Sequence, residues 1–371
     1  MVPTSVDYGI KHDETWIVKA FAIIAMLMHH LFPGHPEFGS TIVGIGQTGK
    51  ICIALFVFLS GYGMTASFPK NITKKIDWGK TFFFVLCKRY AKFFLNYWFI
   101  FFVFVPVGVF CFGRPLQAAY GENANVLKSF ICDMFGWQGL FSYNATWWFN
   151  AVILALWIMF PILYLAMKNK IVSVCVLLFL FWDPYVVMRF FHSIAFGLAS
   201  YILLFALGIF IALHTGRINK ILNVVHPYVV LCTSLVLTAV LLFLRTFPVF
   251  PCFSGFTVDP FATVFMALAV VSLCRVTNRR FAFVQYVGKH SMNMYLTRTF
   301  IVGYFFSDFI YGFKYPALSF LALFATSLFL SVCIEFVKKR IGFYKLQAKV
   351  VAAIGRAGKS LPKENHDAHQ D

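Results

Sequence analysis

Apolar residues fall along this chain in long runs separated by short polar connectors. A helix needs roughly 17 to 25 mostly apolar residues to cross a hydrocarbon core ~30 Å thick. Runs able to do so lie near 16–34, 50–68, 93–112, 146–167, 171–188, 197–214, 228–246, 260–275, 291–310 and 317–337. The fifth is the weakest, because Asp183, Pro184 and Arg189 shorten its apolar part. The pattern predicts an all-α, polytopic integral membrane protein of about ten transmembrane helices. It divides the chain into a segment 1–15, a transmembrane domain 16–340, and a tail 341–371 that is basic and then, from Gly358, polar and disordered.

Charge sets the orientation. With a cytoplasmic N-terminus, the inner connectors hold Lys70, Lys74, Lys75, Lys80, Lys88, Arg89 and Lys92, then Lys168 and Lys170, then Arg217 and Lys220, then Arg275, Arg279, Arg280 and Lys289. The tail adds Lys338, Lys339, Arg340, Lys345, Lys349, Arg356, Lys359 and Lys363, whereas the outer connectors carry only scattered cations such as Lys50, Arg114 and Arg189. The positive-inside rule therefore selects ten spans with both termini cytoplasmic, and deleting the fifth span would scramble the alternation.

Composition agrees, since 60% of residues are hydrophobic and 12% charged, about half the charged share of a soluble domain. The net charge of +18 does not point to nucleic acid, because its cations are spread over connectors rather than gathered on one basic face. The nine cysteines form no CxxC pair, so neither a zinc site nor a disulfide framework is expected; Cys132 with Cys252 is the one pairing left open. The polar stretch before the first run, with no small-residue cleavage pattern after it, gives no sign of a cleavable signal peptide. No tandem or inverted repeat is visible, which counts against many secondary-transporter architectures.

Ionisable groups inside a span are costly, about 2.5 to 3.5 kcal/mol each on insertion scales, and so mark candidate chemistry. The first run contains Lys19, His29 and His30. At ~100° per residue, Lys19 and His30 fall within about 20° of one helix face and roughly 16 Å apart along the axis. One face thus offers a cation and, further along, an imidazole: a cation for the phosphates of an acyl-CoA, and a general base for its thioester end. The competing reading is a snorkelling lysine and an interfacial histidine pair.

The stretch from Lys19 to His30, a basic residue followed ten residues later by His, resembles the opening helix of acyltransferase family 3, where Arg is the usual first residue. Leu55-Phe56-Val57-Phe58-Leu59-Ser60-Gly61-Tyr62 resembles the second helix of that family, and Lys88-Arg89-Tyr90-Ala91-Lys92 its basic approach to the third. Trp147-Trp148-Phe149, with Leu156-Trp157-Ile158-Met159-Phe160-Pro161, is similar to its fourth region, although many relatives carry a Glu pair where this chain has Ile153 and Leu154. Gly288-Lys289-His290-Ser291-Met292-Asn293-Met294-Tyr295-Leu296-Thr297-Arg298 resembles its ninth helix, with Arg298 where His is common.

The resemblance implies a membrane-bound O-acyltransferase, expected to be an O-acetyltransferase. It would move an acyl group from cytoplasmic acetyl-CoA or a related acyl-CoA to a hydroxyl of a surface polysaccharide or other glycoconjugate. It implies His30 and Lys19 as catalytic residues, Arg89, Lys19 and Ser60 as acyl-CoA-binding, and Trp148 and Arg298 as acceptor-binding. Acyl-CoA is a co-substrate, and neither a metal nor a permanently bound cofactor is called for. The expected partners are the donor, a glycan or glycolipid acceptor and the lipid bilayer, and the expected location is a bacterial cytoplasmic membrane. Ordinary small-residue packing competes for Ser60 and Gly61, an interfacial aromatic belt for Trp147 and Trp148, and structural pairing for Arg298. Tyr120, Trp137 and Tyr143, between the third and fourth runs, are further aromatic candidates for a sugar. The alternative from another class is a transporter or flippase for an anionic or sugar-bearing substrate, using Lys19, Arg298 and the histidine pair as a relay.

Overall fold

A computed structural model describes residues 6–68, 75–137, 141–182, 195–247 and 255–360. The helices in chain order are α1 (His12–Leu31), α2 (Ser40–Thr48), α3 (Ile51–Ser67), α4 (Lys75–Cys111), α5 (Leu116–Tyr120), α6 (Val126–Met134), α7 (Trp148–Lys168) and α8 (Lys170–Trp182). They continue as α9 (Ala195–Leu222), α10 (Pro227–Thr246), α11 (Gly255–Thr277), α12 (Ala282–Thr299), α13 (Ser307–Tyr311), α14 (Pro316–Arg340) and α15 (Phe343–Ser360). A π-helical segment, Phe300–Phe305, follows α12 directly. No strand occurs among the described residues, as expected where lipid cannot satisfy an open sheet edge. The protein is an all-α, multi-pass integral membrane protein.

Eight described helical stretches are long and apolar enough to span a membrane. Two of the ten expected spans fall outside that set, for different reasons. The apolar part of α8 is short, Lys170–Phe181, and the continuation of that run lies outside the described residues. The ninth run is long enough, but α12 buries His290, Ser291, Asn293, Thr297, Arg298 and Thr299, so polarity rather than length sets it apart. The third run also differs from expectation. Its helix starts at Lys75 instead of near 93, because the basic segment around Lys88 and Lys92 continues the same helix; a helix of this length exceeds the hydrocarbon thickness. Part of the tail is helical, since α15 runs to Ser360 and packs against α4 and α14. Residues 361–371 and Cys252 lie outside the described set, and Cys132 is a free thiol.

α1 sits at the centre of the bundle. Its Val18, Ala20, Ala22, Ile23, Leu27 and Leu31 are fully buried, and it packs on α2, α3, α11, α12 and α14. Its start is fixed twice. The Glu14 side chain accepts from the Lys11 backbone N–H at 2.7 Å, a capping arrangement, and the same carboxylate pairs with Arg275 of α11. Close approach elsewhere depends on glycine. A Cβ on Gly61 would lie 2.2 Å from the Phe205 carbonyl oxygen, and one on Gly208 would lie 2.2 Å from that of Phe58, so α3 and α9 meet backbone to backbone through small residues.

Candidate active site

Five helices surround a cavity of about 170 Å³ on the Lys19 side of the bundle. Lys19 comes from α1; Phe56, Leu59 and Ser60 from α3; Arg89 and Phe93 from α4; Phe149, Asn150, Ile153 and Trp157 from α7; Ser291, Met292 and Tyr295 from α12. Helical spacing accounts for each pair: Ser60 and Phe56 lie one turn apart, as do Arg89 and Phe93, and Asn150, Ile153 and Trp157 repeat at three and four.

Three of the polar groups, Ser60, Trp157 and Arg89, form one connected set. Ser60 Oγ accepts from Trp157 Nε1 at 2.8 Å and from Arg89 Nη2 at 3.3 Å. The Arg89 guanidinium lies over the Trp157 ring, 4.8 Å from its centroid, and Lys19 Nζ lies over Trp16 at 4.5 Å, both within cation–π range. A hydroxyl has two lone pairs and one hydrogen. With both lone pairs engaged, Ser60 has its hydrogen left to donate, which suits it to hold a carbonyl or phosphate oxygen. It has no activating base in these bonds and is not arranged as a nucleophile.

The lining holds two cations, Lys19 and Arg89, and no carboxylate. Ile153 is part of that wall. Arg89 Nε and Asn150 Nδ2 have no hydrogen-bond partner among the described residues. Two cations, with unengaged donors on Arg89 and Asn150, give the cavity a positive lining of the kind that attracts an anion.

A second, more open pocket of about 520 Å³ lies further along α1 and α12, lined by His30, His35, Arg298, Thr299, Val302, Gly303, Ser307, Asp308 and Tyr311. The two histidines near the end of α1, His29 and His30, separate here. His29 is tied to structure, its Nδ1 donating to the Gly46 carbonyl at 3.2 Å. His30 makes no hydrogen bond among the described residues; it meets the His29 ring edge-on at 4.9 Å and faces the pocket. Thr146 bonds to a lining residue of each chamber: Tyr295 OH donates to its carbonyl at 3.0 Å, and its Oγ1 lies 2.9 Å from Thr299 Oγ1.

A sequence profile described as an acyltransferase domain, Acyl_transf_3, matches residues 17–336, well over half of the chain. The chain belongs to acyltransferase family 3. The match takes in every residue of both chambers and leaves out α15. Searches of the curated proteins and of the solved structures find no match.

Of the residues singled out in the sequence of this family member, Lys19, Ser60 and Arg89 line one chamber, and His30 and Arg298 line the other. Trp148 lines neither: it is half-buried and stacks on Tyr201 with centroids 6.5 Å apart. Its neighbours Phe149 and Asn150 reach the Lys19 cavity instead. Tyr120 and Tyr143 are buried, with Tyr120 OH donating to Asp133 Oδ2 at 3.1 Å and the Tyr143 N–H to the same oxygen at 2.7 Å. They are parts of a core and not displayed to a sugar; Trp137 is exposed. Of the other lining residues, Trp157, Ser291 and Tyr295 stood in the quoted motifs without an assigned role, and Asn150 was not singled out. Asn150 did carry a signal, being a lone amide within the apolar fourth run. Among the described residues, no group of three or more His, Cys, Asp or Glu is placed to hold a metal ion.

Proposed function

We propose that this protein is an acyl-CoA-dependent O-acyltransferase, with acetyl-CoA as donor and a hydroxyl of a surface polysaccharide or other glycoconjugate as acceptor, in a bacterial cytoplasmic membrane. The observation that carries the reading is the meeting of Lys19, Ser60 and Arg89, from three helices, around one carboxylate-free cavity, with His30 facing a second pocket along the same helix. In this reading Lys19 and Arg89 hold the donor phosphates, and Ser60 donates to a donor oxygen. The acyl arm then runs along α1 towards His30, over a distance of roughly 16 Å.

At His30 the acceptor hydroxyl attacks the thioester carbonyl carbon. The C–O bond forms and the C–S bond breaks. The hydroxyl proton passes to the imidazole and from there to the departing thiolate, giving an ester and free CoA. His30 has no competing hydrogen bond, which leaves a ring nitrogen available to accept that proton.

The test is binding and turnover of acetyl-CoA by purified protein in detergent. His30→Ala should lower hydrolysis or transfer by about 10² to 10⁴, and Lys19→Ala and Arg89→Ala should raise the donor KM. If the native protein binds no acetyl-CoA even at millimolar concentration, the acyltransferase mechanism fails for this chain and the transporter reading takes its place.

A further inference from the structure

Arg298 is almost wholly enclosed, with 2% of its surface exposed, yet it lines the His30 pocket. Its Nε and Nη1 have no hydrogen-bond partner, and it enters no ion pair, among the described residues. A guanidinium does not give up its proton in a protein. It is therefore a fixed positive charge, removed from water and without a counterion, beside the imidazole that the acceptor hydroxyl must reach. A lone buried charge is strongly disfavoured, and inside a membrane-spanning bundle it is the kind of group that marks a binding site.

The neighbouring elements do not neutralise it. His29 of α1 is engaged with Gly46, and His35 is paired with Glu37 at 2.7 Å. The one carboxylate in the pocket lining, Asp308, is exposed on the short helix α13 and accepts from Ser307 Oγ at 3.5 Å. It lies where water screens it, whereas Arg298 does not. The backbone shapes the same wall: Arg298 stands just before the π-helical segment Phe300–Phe305, a distortion often found at functional sites. The turn is held by Asn144 Nδ2 and Trp147 Nε1, which donate to the Leu296 carbonyl at 3.4 and 3.1 Å. Arg298 is thus fixed in place with free donors.

Resting on the acyltransferase reading, we infer that the acceptor is anionic, carrying a carboxylate or phosphate that Arg298 binds while the neighbouring hydroxyl meets His30. A neutral sugar entering this pocket would leave the buried guanidinium without a counter-charge. A uronate-type carboxylate or a phosphate ester would return charge-assisted hydrogen bonds and set the hydroxyl in register. The acceptor class is then selected by charge as much as by shape.

The experiment takes glycans and glycolipids from the membranes of the source cells, separates them by anion exchange into neutral and anionic fractions, and offers each to the purified protein with radiolabelled acetyl-CoA. Label is expected in the anionic fraction. That labelling should fall at least tenfold when the charge is removed from the substrate by methyl esterification or phosphatase treatment, a step that leaves the protein's folding untouched. Arg298→Gln should raise the KM for the anionic fraction more than it lowers kcat, and Arg298→Lys should restore part of the loss. Label in the neutral fraction, or transfer that is indifferent to charge removal, overturns the inference. Acetyl-CoA hydrolysis by the native protein with label in neither fraction overturns it together with the glycan acceptor while leaving the donor chemistry standing; absence of hydrolysis as well sinks the underlying reading.

Discussion

At the scale of single residues, Ser60 and Asp133 show how burial assigns roles. Ser60→Ala removes the acceptor for both Trp157 Nε1 and Arg89 Nη2, and a buried donor left unpaired costs about 1–3 kcal/mol. Arg89 loses its anchor, so the donor KM is expected to rise several-fold with a smaller change in kcat, measured with acetyl-CoA. Asp133, on α6 outside the spans, is enclosed by Tyr97, Tyr120 and Tyr143. Burial pushes its carboxyl up to about 7, against the lowering effect of the three donors. The unfolded chain titrates near ~3.9, so the folded protein holds this proton over a range where the unfolded one has lost it. The stability contributed by the proton is complete below the unfolded value and is lost as pH rises through about 7. Thermal stability in detergent should fall across that window. Asp133→Asn, which has no proton to lose, should flatten the slope, and an unchanged slope would refute the assignment.

Among the elements, α1 and α12 matter most, since each contributes to both chambers. Their contact is set by Gly288, where a Cβ would lie 1.8 Å from the Trp16 carbonyl oxygen. No side chain can yield there, because the obstacle is backbone. Gly288→Ala must push α12 away from α1, at an overpacking cost of about 1–3 kcal/mol, and with it Tyr295 and Arg298. The expected result is a lower melting temperature together with reduced turnover, read by thermal denaturation and acetyl-CoA hydrolysis. Further along α12, Asn293 and Lys338 tie it into the bundle: Lys338 Nζ donates to Asn293 Oδ1 at 3.0 Å and also to Asn96, while Asn293 Nδ2 donates to Glu335 at 2.7 Å. α12 is therefore held by glycine contact and polar pairing as well as by its buried Val287, Met294 and Leu296, and it contributes polar side chains to both chambers.

For the whole molecule, the open prediction is topology. Ten crossings with both ends cytoplasmic require α8 and α12 to cross the bilayer although one has a short described apolar part and the other is polar. A reporter fused after Lys363 should read cytoplasmic, and one inserted between Gly121 and Asn123 should read exterior. Opposite sides for the two termini would remove one crossing and reverse the orientation of the later connectors. The same arrangement places the Lys19 cavity on the donor side and the His30 pocket on the acceptor side, so a failure here would also disconnect the proposed chemistry from its substrates.

The run lengths and the distribution of Lys and Arg by themselves determined that this is a helical membrane protein, because the bilayer fixes how long and how apolar a crossing segment must be. Lys19 and His30 also stood out, since a charge and an imidazole are conspicuous against an apolar run, whereas Arg89 and Arg298 were picked out by their place in motifs resembling the family. What the sequence did not contain was which side chains share a cavity. Ser60 and Gly61 are neighbours in one motif, yet the first completes a polar cluster and the second lets α9 approach; a rotation of ~100° about the helix decides between them. Trp148 turned to Tyr201 while Asn150, two residues on, turned to the cavity. Tyr120 and Tyr143 closed around Asp133 instead of facing outward. These outcomes depend on how neighbouring helices are rotated and packed, and only the tertiary structure decided them.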